Sequence, residues 1–276
     1  LVLPYDPASK QLAPATRLLG QIDYGFNAPN LIEGREFAPG ELRLLLSTAQ
    51  TATVNLGPAI AIDTNSETPR LYIADTGNNR ILGYADARKV RFGDKREFAD
   101  LVIGQVDFYR ALRNSPANDS ATPSATGLYL PSAIAVDKQG NLWVADTLNG
   151  RVVRFPRPFD HVSELQTADL VVGQPDLTTK STGEVARDRL GAPAGLAFTP
   201  EGNLVVSDLA HNRVLMYRQP STNGPSADLI LGQQDSTSGG FGNTESQFTL
   251  PLGLVVDSFG RLYVADYGNV RIVVFD

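Results

Sequence analysis

The sequence predicts an all-β chain built from four copies of one four-stranded unit. An apolar run ending in Asp occurs four times: Leu71–Asp75, Leu142–Asp146, Leu204–Asp208 and Leu262–Asp266. An Arg follows each Asp five positions later, at Arg80, Arg151, Arg213 and Arg271, and opens a second apolar run. With 25 Gly and 18 Pro in 276 residues, turn signals break the chain too often for long helices.

The elements follow from the repeat. A first run, A, precedes each Asp-ended run: Ala59–Asp63, Ala133–Asp137, Ala194–Phe198 and Gly253–Asp257. The Asp-ended run is B and the Arg-opened run is C. A fourth run, D, ends in Gly-Gln-x-Asp at Gly104–Asp107, Gly173–Asp176 and Gly232–Asp235, with a further copy of the box at Gly20–Asp23. The A–B connections, such as Asp137-Lys138-Gln139-Gly140-Asn141, carry the Gly and Asn of tight hairpins. The runs are apolar throughout, which predicts burial on both faces, as when a small sheet stands between two others. Tyr24 to Gly57 departs from the pattern, and within it Gly40–Leu46 is expected to form a short helix with Leu42, Leu45 and Leu46 on one side.

The repeat resembles the NHL repeat. Ala74-Asp75-Thr76-Gly77-Asn78-Asn79-Arg80 and Ala265-Asp266-Tyr267-Gly268-Asn269-Val270-Arg271 match its signature closely. Ala145–Arg151 has Leu148 in place of the turn Gly, and Ser207–Arg213 puts His211 where Asn stands. The resemblance implies a β-propeller of four-stranded blades, with four recognisable NHL-type repeats plus a partial unit. The chain reads as one domain over 1–276, with repeats at about 58–107, 132–176, 193–235 and 252–276, the last completed by 1–23. Val2–Tyr5 aligns with a C run, so the chain begins and ends within a unit. Three closures stay open: a ring completed by Arg17–Asp23, a larger six-bladed ring, or half-units that pair between molecules. The first is favoured.

Recurrence decides how the boxes are read. The pairs Asp75 and Arg80, Asp146 and Arg151, Asp208 and Arg213, and Asp266 and Arg271 stand in every copy, so they are architecture that staples the B–C hairpin. The Gly-Gln-x-Asp box is read the same way. His161 and His211 fall in loops on opposite faces, and the chain has no Cys, so the zinc site of the lyases on NHL propellers is not provided for. Lactonases on propellers are a second enzymatic relative, but no separate cluster of carboxylates marks such a site. Gly-x-Ser-x-Gly, His-Glu-x-x-His and phosphate-binding loops are absent. No metal or cofactor is expected.

A net charge of −6 argues against nucleic acid, despite a basic stretch at Arg88, Lys89, Arg91, Lys95 and Arg96. No apolar run is long enough for membrane insertion. With 5 Lys against 19 Arg and many small polar residues, the composition suits a secreted or periplasmic bacterial protein. The chain opens on Leu1 without Met, as one whose leader has been removed would. The expected role is a non-catalytic binding or assembly module. The B–C and D–A loops share one face, and that face would meet a protein or carbohydrate partner through Thr76, Tyr109, Thr147, Asn149, His211 and Tyr267, with Phe108 and Phe241 nearby. The alternatives are a lactonase- or lyase-type enzyme with its site in the channel, and a structural subunit that self-associates through terminal strands.

Overall fold

The computed structural model describes residues 5–6, 11–12, 18–21, 32–47, 50–90, 98–162 and 164–276. Two short antiparallel ladders come first: β1 (Tyr5–Asp6) with β2 (Gln11–Leu12), and β3 (Gly40–Ser47) with β4 (Gln50–Leu56). Blade 1 is β5 (Ile60–Asp63), β6 (Arg70–Asp75), β7 (Arg80–Tyr84) and β8 (Leu101–Ile103). Blade 2 is β9 (Pro131–Val136), β10 (Leu142–Asp146), β11 (Arg151–Phe155) and β12 (Leu170–Val172). Blade 3 is β13 (Pro193–Phe198), β14 (Leu204–Asp208), β15 (Arg213–Tyr217) and β16 (Leu229–Leu231). Blade 4 has three strands among the described residues, β17 (Pro251–Val256), β18 (Leu262–Asp266) and β19 (Arg271–Phe275). Each sheet is an antiparallel meander in chain order.

The blades stand face to face, and this explains runs that are apolar at every position. In β10, Trp143 and Ala145 pack towards blade 3, while Leu142 and Val144 pack towards blade 1. The strand keeps its period of two, but both faces end in a core. Three such cores, one between each pair of neighbouring blades, hold the arc together. The first strands of successive blades lie closest to one another and so line the centre. The B–C connections are single 3-10 turns that end on a residue in the left-handed region: Asn79, Gly150, Asn212 and Val270, at φ between 51° and 59°.

One expectation needs correction. Gly40–Leu46 is not a helix but most of strand β3. Its pattern has period two: Leu42 and Leu44 turn inwards with Ala52, Val54 and Leu56 of β4, while Glu41, Arg43, Thr53 and Asn55 are exposed. Among the described residues of 1–23, none pairs with the β17–β19 sheet. Gly20 bridges Glu36, and Leu19 packs with Phe37 and Phe108 in the cluster of Leu71, Ile73 and Leu82 of blade 1. Residues 1–4, Arg17, Ile22 and Asp23 lie outside the described residues, as do Arg91, Lys95 and Arg96.

The β3–β4 hairpin lies across the face that carries the B–C turns. Its apolar side is seated on Leu130 of the blade 2 entry, Ala192, Ala194 and Leu209 of blade 3, and Leu250 of blade 4. One amphipathic hairpin therefore ties three blades together at the mouth of the centre. Truncating the buried Leu42 to Ala should cost about 2–5 kcal/mol, whereas Arg43→Ala on the outer side should stay within about 0.5 kcal/mol. Urea unfolding of the two variants measures this, and equal losses would contradict the hairpin's orientation.

Candidate functional site

Each blade carries the same box at the end of its second strand, buried in blades 1 to 3 and with Arg271 partly exposed in blade 4. In blade 2, the Asp146 carboxylate accepts from Tyr129 N, Asn149 Nδ2 and Arg151 Nε, each at 2.7 Å. Arg151 spends its remaining donors on main-chain oxygens: Nη2 on Ser124 and Gly127 at 2.9 and 3.1 Å, and Nη1 on Leu177. Arg80 and Arg213 repeat the arrangement, and all three side chains are fully buried. One guanidinium thus fastens the B–C turn to the loop that enters the blade and to the loop that leaves it. A buried ion pair offsets its desolvation only when further hydrogen bonds satisfy its remaining donors and acceptors, and Arg151 makes four in all.

The Gly-Gln-x-Asp box closes the same loops. Gly104, Gly173 and Gly232 sit at φ between 87° and 90°, and a Cβ on any of them would come within 2.8 Å of Leu128, Leu190 or Phe248. The Gln that follows donates to the left-handed residue of the B–C turn: Gln105 to Asn79 O at 3.0 Å, Gln174 to Gly150 O and Gln233 to Asn212 O, both at 2.9 Å. Asp176 then turns the chain by accepting from Thr178 and Thr179, whose hydrogen bonds hold its carboxyl down at about 2.

Of the six residues expected at the ligand, four are buried inside this framework. Thr76 is buried beside the hairpin, with Oγ1 3.5 Å from Gly57 O. Thr147 Oγ1 donates to Pro193 O at 2.8 Å, joining blades 2 and 3. Asn149 is bonded to Asp146 and Asn114, and His211 Nδ1 lies 2.7 Å from Asp208 Oδ2. Tyr109 and Tyr267 are exposed, as is Phe241, while Phe108 packs on blade 1. The structure does not bring the exposed ones together, because the β3–β4 hairpin occupies the centre of their face.

The concavity is on the opposite face, where the A–B hairpins emerge. A cleft of about 520 Å³ lies between the hairpins of blades 2, 3 and 4. Asp137 is fixed at its wall, accepting from Gln139 N, Asn141 N, Asn141 Nδ2 and Trp143 Nε1 at 2.8–2.9 Å. Arg154 lies 5.7 Å over the Trp143 ring and pairs with Asp169 at 2.8 Å. Lys138 spans the cleft to Pro200 O, and Gln219 Nε2 donates to Glu201 O at 2.9 Å. Asp257 closes the far side; burial alone would raise its carboxyl, but Arg261 and the main-chain N–H groups of Arg261 and Phe259 hold it below the ordinary value. A smaller cleft of about 220 Å³, bounded by Asp63, Arg70 and Arg157, shares Lys138 and Gln139 with the first. Sequence reasoning missed this site because hairpins far apart in the chain build it. The usable signal was departure from the repeat, namely the single Trp and a Lys where the other copies have Thr64, Pro200 and Ser258.

His211 in place of Asn alters the charge balance of its box. Burial would raise the Asp208 carboxyl, but the hydrogen bond and charge of His211, with Arg213 and Ala192 N, carry it below its ordinary value. In blade 1, burial outweighs Arg80 and raises Asp75. The two therefore act in opposite senses. Asp208 contributes stability above its unfolded value, about 3.9, and loses it as pH falls through the lower folded value. Asp75 favours folding below its unfolded value and loses that contribution as pH rises through the raised folded one. The stability gap between wild type and Asp208→Asn should be widest at neutral pH and close below about pH 4, by urea unfolding over a pH series. A gap that widened in acid would contradict the His211 assignment.

The family model for the NHL repeat matches residues 128–155 and 248–275, the second and fourth copies. Among solved structures, a catalytically inactive virginiamycin B lyase from Staphylococcus aureus with quinupristin is 14% identical, with 87% of this chain and 60% of that one covered at a TM-score of 0.42. An auxiliary nutrient binding protein from Bacteroides thetaiotaomicron is 14% identical over 77% of this chain and 46% of that one, with a TM-score of 0.47. A putative 6-phosphogluconolactonase from Bacteroides uniformis is 16% identical over 99% and 72%, with a TM-score of 0.48. The chain thus spans less than two thirds of the lyase and of the nutrient binding protein. The second and fourth copies therefore carry the NHL repeat, and the antiparallel meander sheets are consistent with a β-propeller.

Proposed function

We propose that this chain is a non-catalytic binding module that takes a hydroxyl-rich ligand of the carbohydrate class in the cleft between its A–B hairpins. The observation that carries the reading is the state of the polar groups there. Asp137, Asn141, Gln219 and Asp257 are held by hairpin hydrogen bonds, so their remaining lone pairs and N–H groups face the cleft in fixed directions. Such groups suit recognition of hydroxyls, which need both donors and acceptors. Catalysis asks instead for groups poised to exchange protons, and Asp257 is held as the carboxylate. A volume of about 520 Å³ accommodates a short saccharide. The low-lysine composition, rich in small polar residues, suits such a module outside the cytoplasm.

Calorimetric titration with xylohexaose, cellohexaose, mannohexaose and chitohexaose tests the reading. At least one should bind, and Lys138→Ala combined with Gln219→Ala should weaken that binding about tenfold or more, as expected when about 1.4 kcal/mol of contact is lost. The alternative result is turnover of a lactone such as glucono-δ-lactone with no saccharide bound, which would replace binding by the channel-site enzyme.

A further inference from the structure

The large cleft and the small one beside it share one arrangement. Each is walled by the residue at the end of one blade's first strand, by the A–B hairpin of the next blade, and by the residue two positions past that blade's third strand. In the small cleft these are Asp63, Lys138 and Arg157; in the large one they are Asp137, Pro200 and Gln219. Arg157 and Gln219 are held alike. Each precedes a Pro and stands in the left-handed region, at φ 37° and 42°, a setting that non-Gly residues before Pro rarely adopt. A Cβ on Gly140 would meet Arg157 Cγ at 3.8 Å, and one on Gly202 would meet Gln219 Cγ at 3.9 Å. With the backbone repeated, the side chains make the difference.

That difference is charge. Where the large cleft has the neutral Pro200 and Gln219, the small one has Lys138 and Arg157, and Arg70 adds a third cation. Asp63 is the carboxylate in its wall. Asp160, outside the lining, pairs with Arg157 Nε at 2.7 Å and lies 3.7 Å from Arg70 Nη1. Lys138 bonds to the main-chain oxygen of Pro200 and, among the described residues, to no carboxylate. The large cleft has the opposite balance: with Arg154 paired to Asp169 and Asp257 to Arg261, Asp137 and Glu201 remain. The small cleft also keeps an acceptor that its counterparts have used. Asp137 Oδ2 accepts from Trp143 Nε1 at 2.8 Å, and Asp257 Oδ2 from Tyr263 Oη at 3.3 Å. Tyr72 stands in the same register in blade 1, packs on Phe159 with ring centroids 5.5 Å apart, and makes no hydrogen bond to Asp63. Asp63 accepts through Oδ1, from Asn65 N and Nδ2 at 2.9 and 2.8 Å, and among the described residues nothing donates to Oδ2. An open carboxylate oxygen beside surplus cations calls for a ligand that brings a hydroxyl and a negative charge together.

We propose that the small cleft is an acidic-sugar subsite, which seats one hexuronic acid of an otherwise neutral oligosaccharide whose other units lie in the large cleft. The uronate carboxylate meets Lys138 and the Nη groups of Arg157, and a hydroxyl of the same ring donates to Asp63 Oδ2. Lys138 and Gln139 border both clefts, so the two are continuous there. About 220 Å³ beside about 520 Å³ suits one unit beside several. A saccharide acidic at every unit is disfavoured, because its other carboxylates would face Asp137 and Glu201. The subsite rests on the saccharide reading of the large cleft.

Calorimetric titration with glucuronosyl-xylotriose, and with the same tetrasaccharide after reduction of its carboxyl to the alcohol, tests the subsite in the wild type and in Arg157→Gln. The Arg157 side chain is 61% exposed, and Gln219 already holds the same backbone setting in blade 3, so the variant should melt as the wild type does. The wild type should bind the acid form about tenfold or more tightly than the reduced form, the contribution of a hydrogen bond to a charged group. That preference should shrink with added salt and vanish in Arg157→Gln. Equal affinity of the wild type for the two forms, or a preference that survives Arg157→Gln, would overturn the subsite. Neutral hexasaccharides that bind while neither tetrasaccharide does would overturn it as well, and would leave the reading of the large cleft intact. If no saccharide of either kind binds, the large-cleft reading has failed and the subsite falls with it.

Discussion

The buried Asp–Arg pair at the end of each second strand is the constraint on which the rest of the structure depends. Blades of three- to six-residue strands have little backbone pairing of their own to fix their loops. The pair supplies the missing fixation: in blade 2, one carboxylate and one guanidinium hold main-chain groups of Tyr129, Ser124, Gly127 and Leu177 as well as each other. With the B–C turn fixed, its left-handed residue can accept from the Gln of the fourth strand and, as Asn, hold the next blade. Asn79 Oδ1 accepts from Leu130 N and Asn212 Oδ1 from Leu250 N, both at 2.9 Å. Charge pairing inside one blade is thereby converted into alignment between blades.

This division of labour separates the two faces of the molecule. On the B–C face every polar group that recurs is spent on architecture, and an amphipathic hairpin covers the centre. The A–B face carries no recurring staple across blades, so its hairpins are free to differ. Lys138, Pro200 and Ser258 differ at one register position there, while Asp137 and Asp257 repeat the same turn, and the cleft forms among them. The face with the least repetition carries a cleft of about 520 Å³.

What the sequence disclosed follows the same line. The strands, the turns and the Asp–Arg and Gly-Gln-x-Asp boxes were legible because each occurs several times, and a residue type kept at one spacing in four contexts has a shared physical cause. The β3–β4 hairpin occurs once. Its run of Leu was read with a helical period although Glu41, Leu42, Arg43 and Leu44 alternate strictly. Thr147, Asn149 and His211 lie on the B–C turns, but turn position does not reveal burial: Asn149 and His211 bond to the Asp of their boxes, and Thr147 donates to Pro193 O of the next blade. The cleft was invisible for a different reason. It is a juxtaposition of loops about sixty residues apart in the chain, and no local pattern encodes it.

The central claim is that the buried pair acts as one unit with its loops, and a double-mutant cycle on Asp146 and Arg151 tests it most directly. Asp146→Asn and Arg151→Met should each cost about 3–5 kcal/mol, because each leaves the other partner buried and uncompensated. The double variant should cost far less than their sum, with a coupling near the upper end of the roughly 0.5–3 kcal/mol seen between contacting residues. Losses that simply add would contradict the account, since the two side chains would then be stabilising the blade independently.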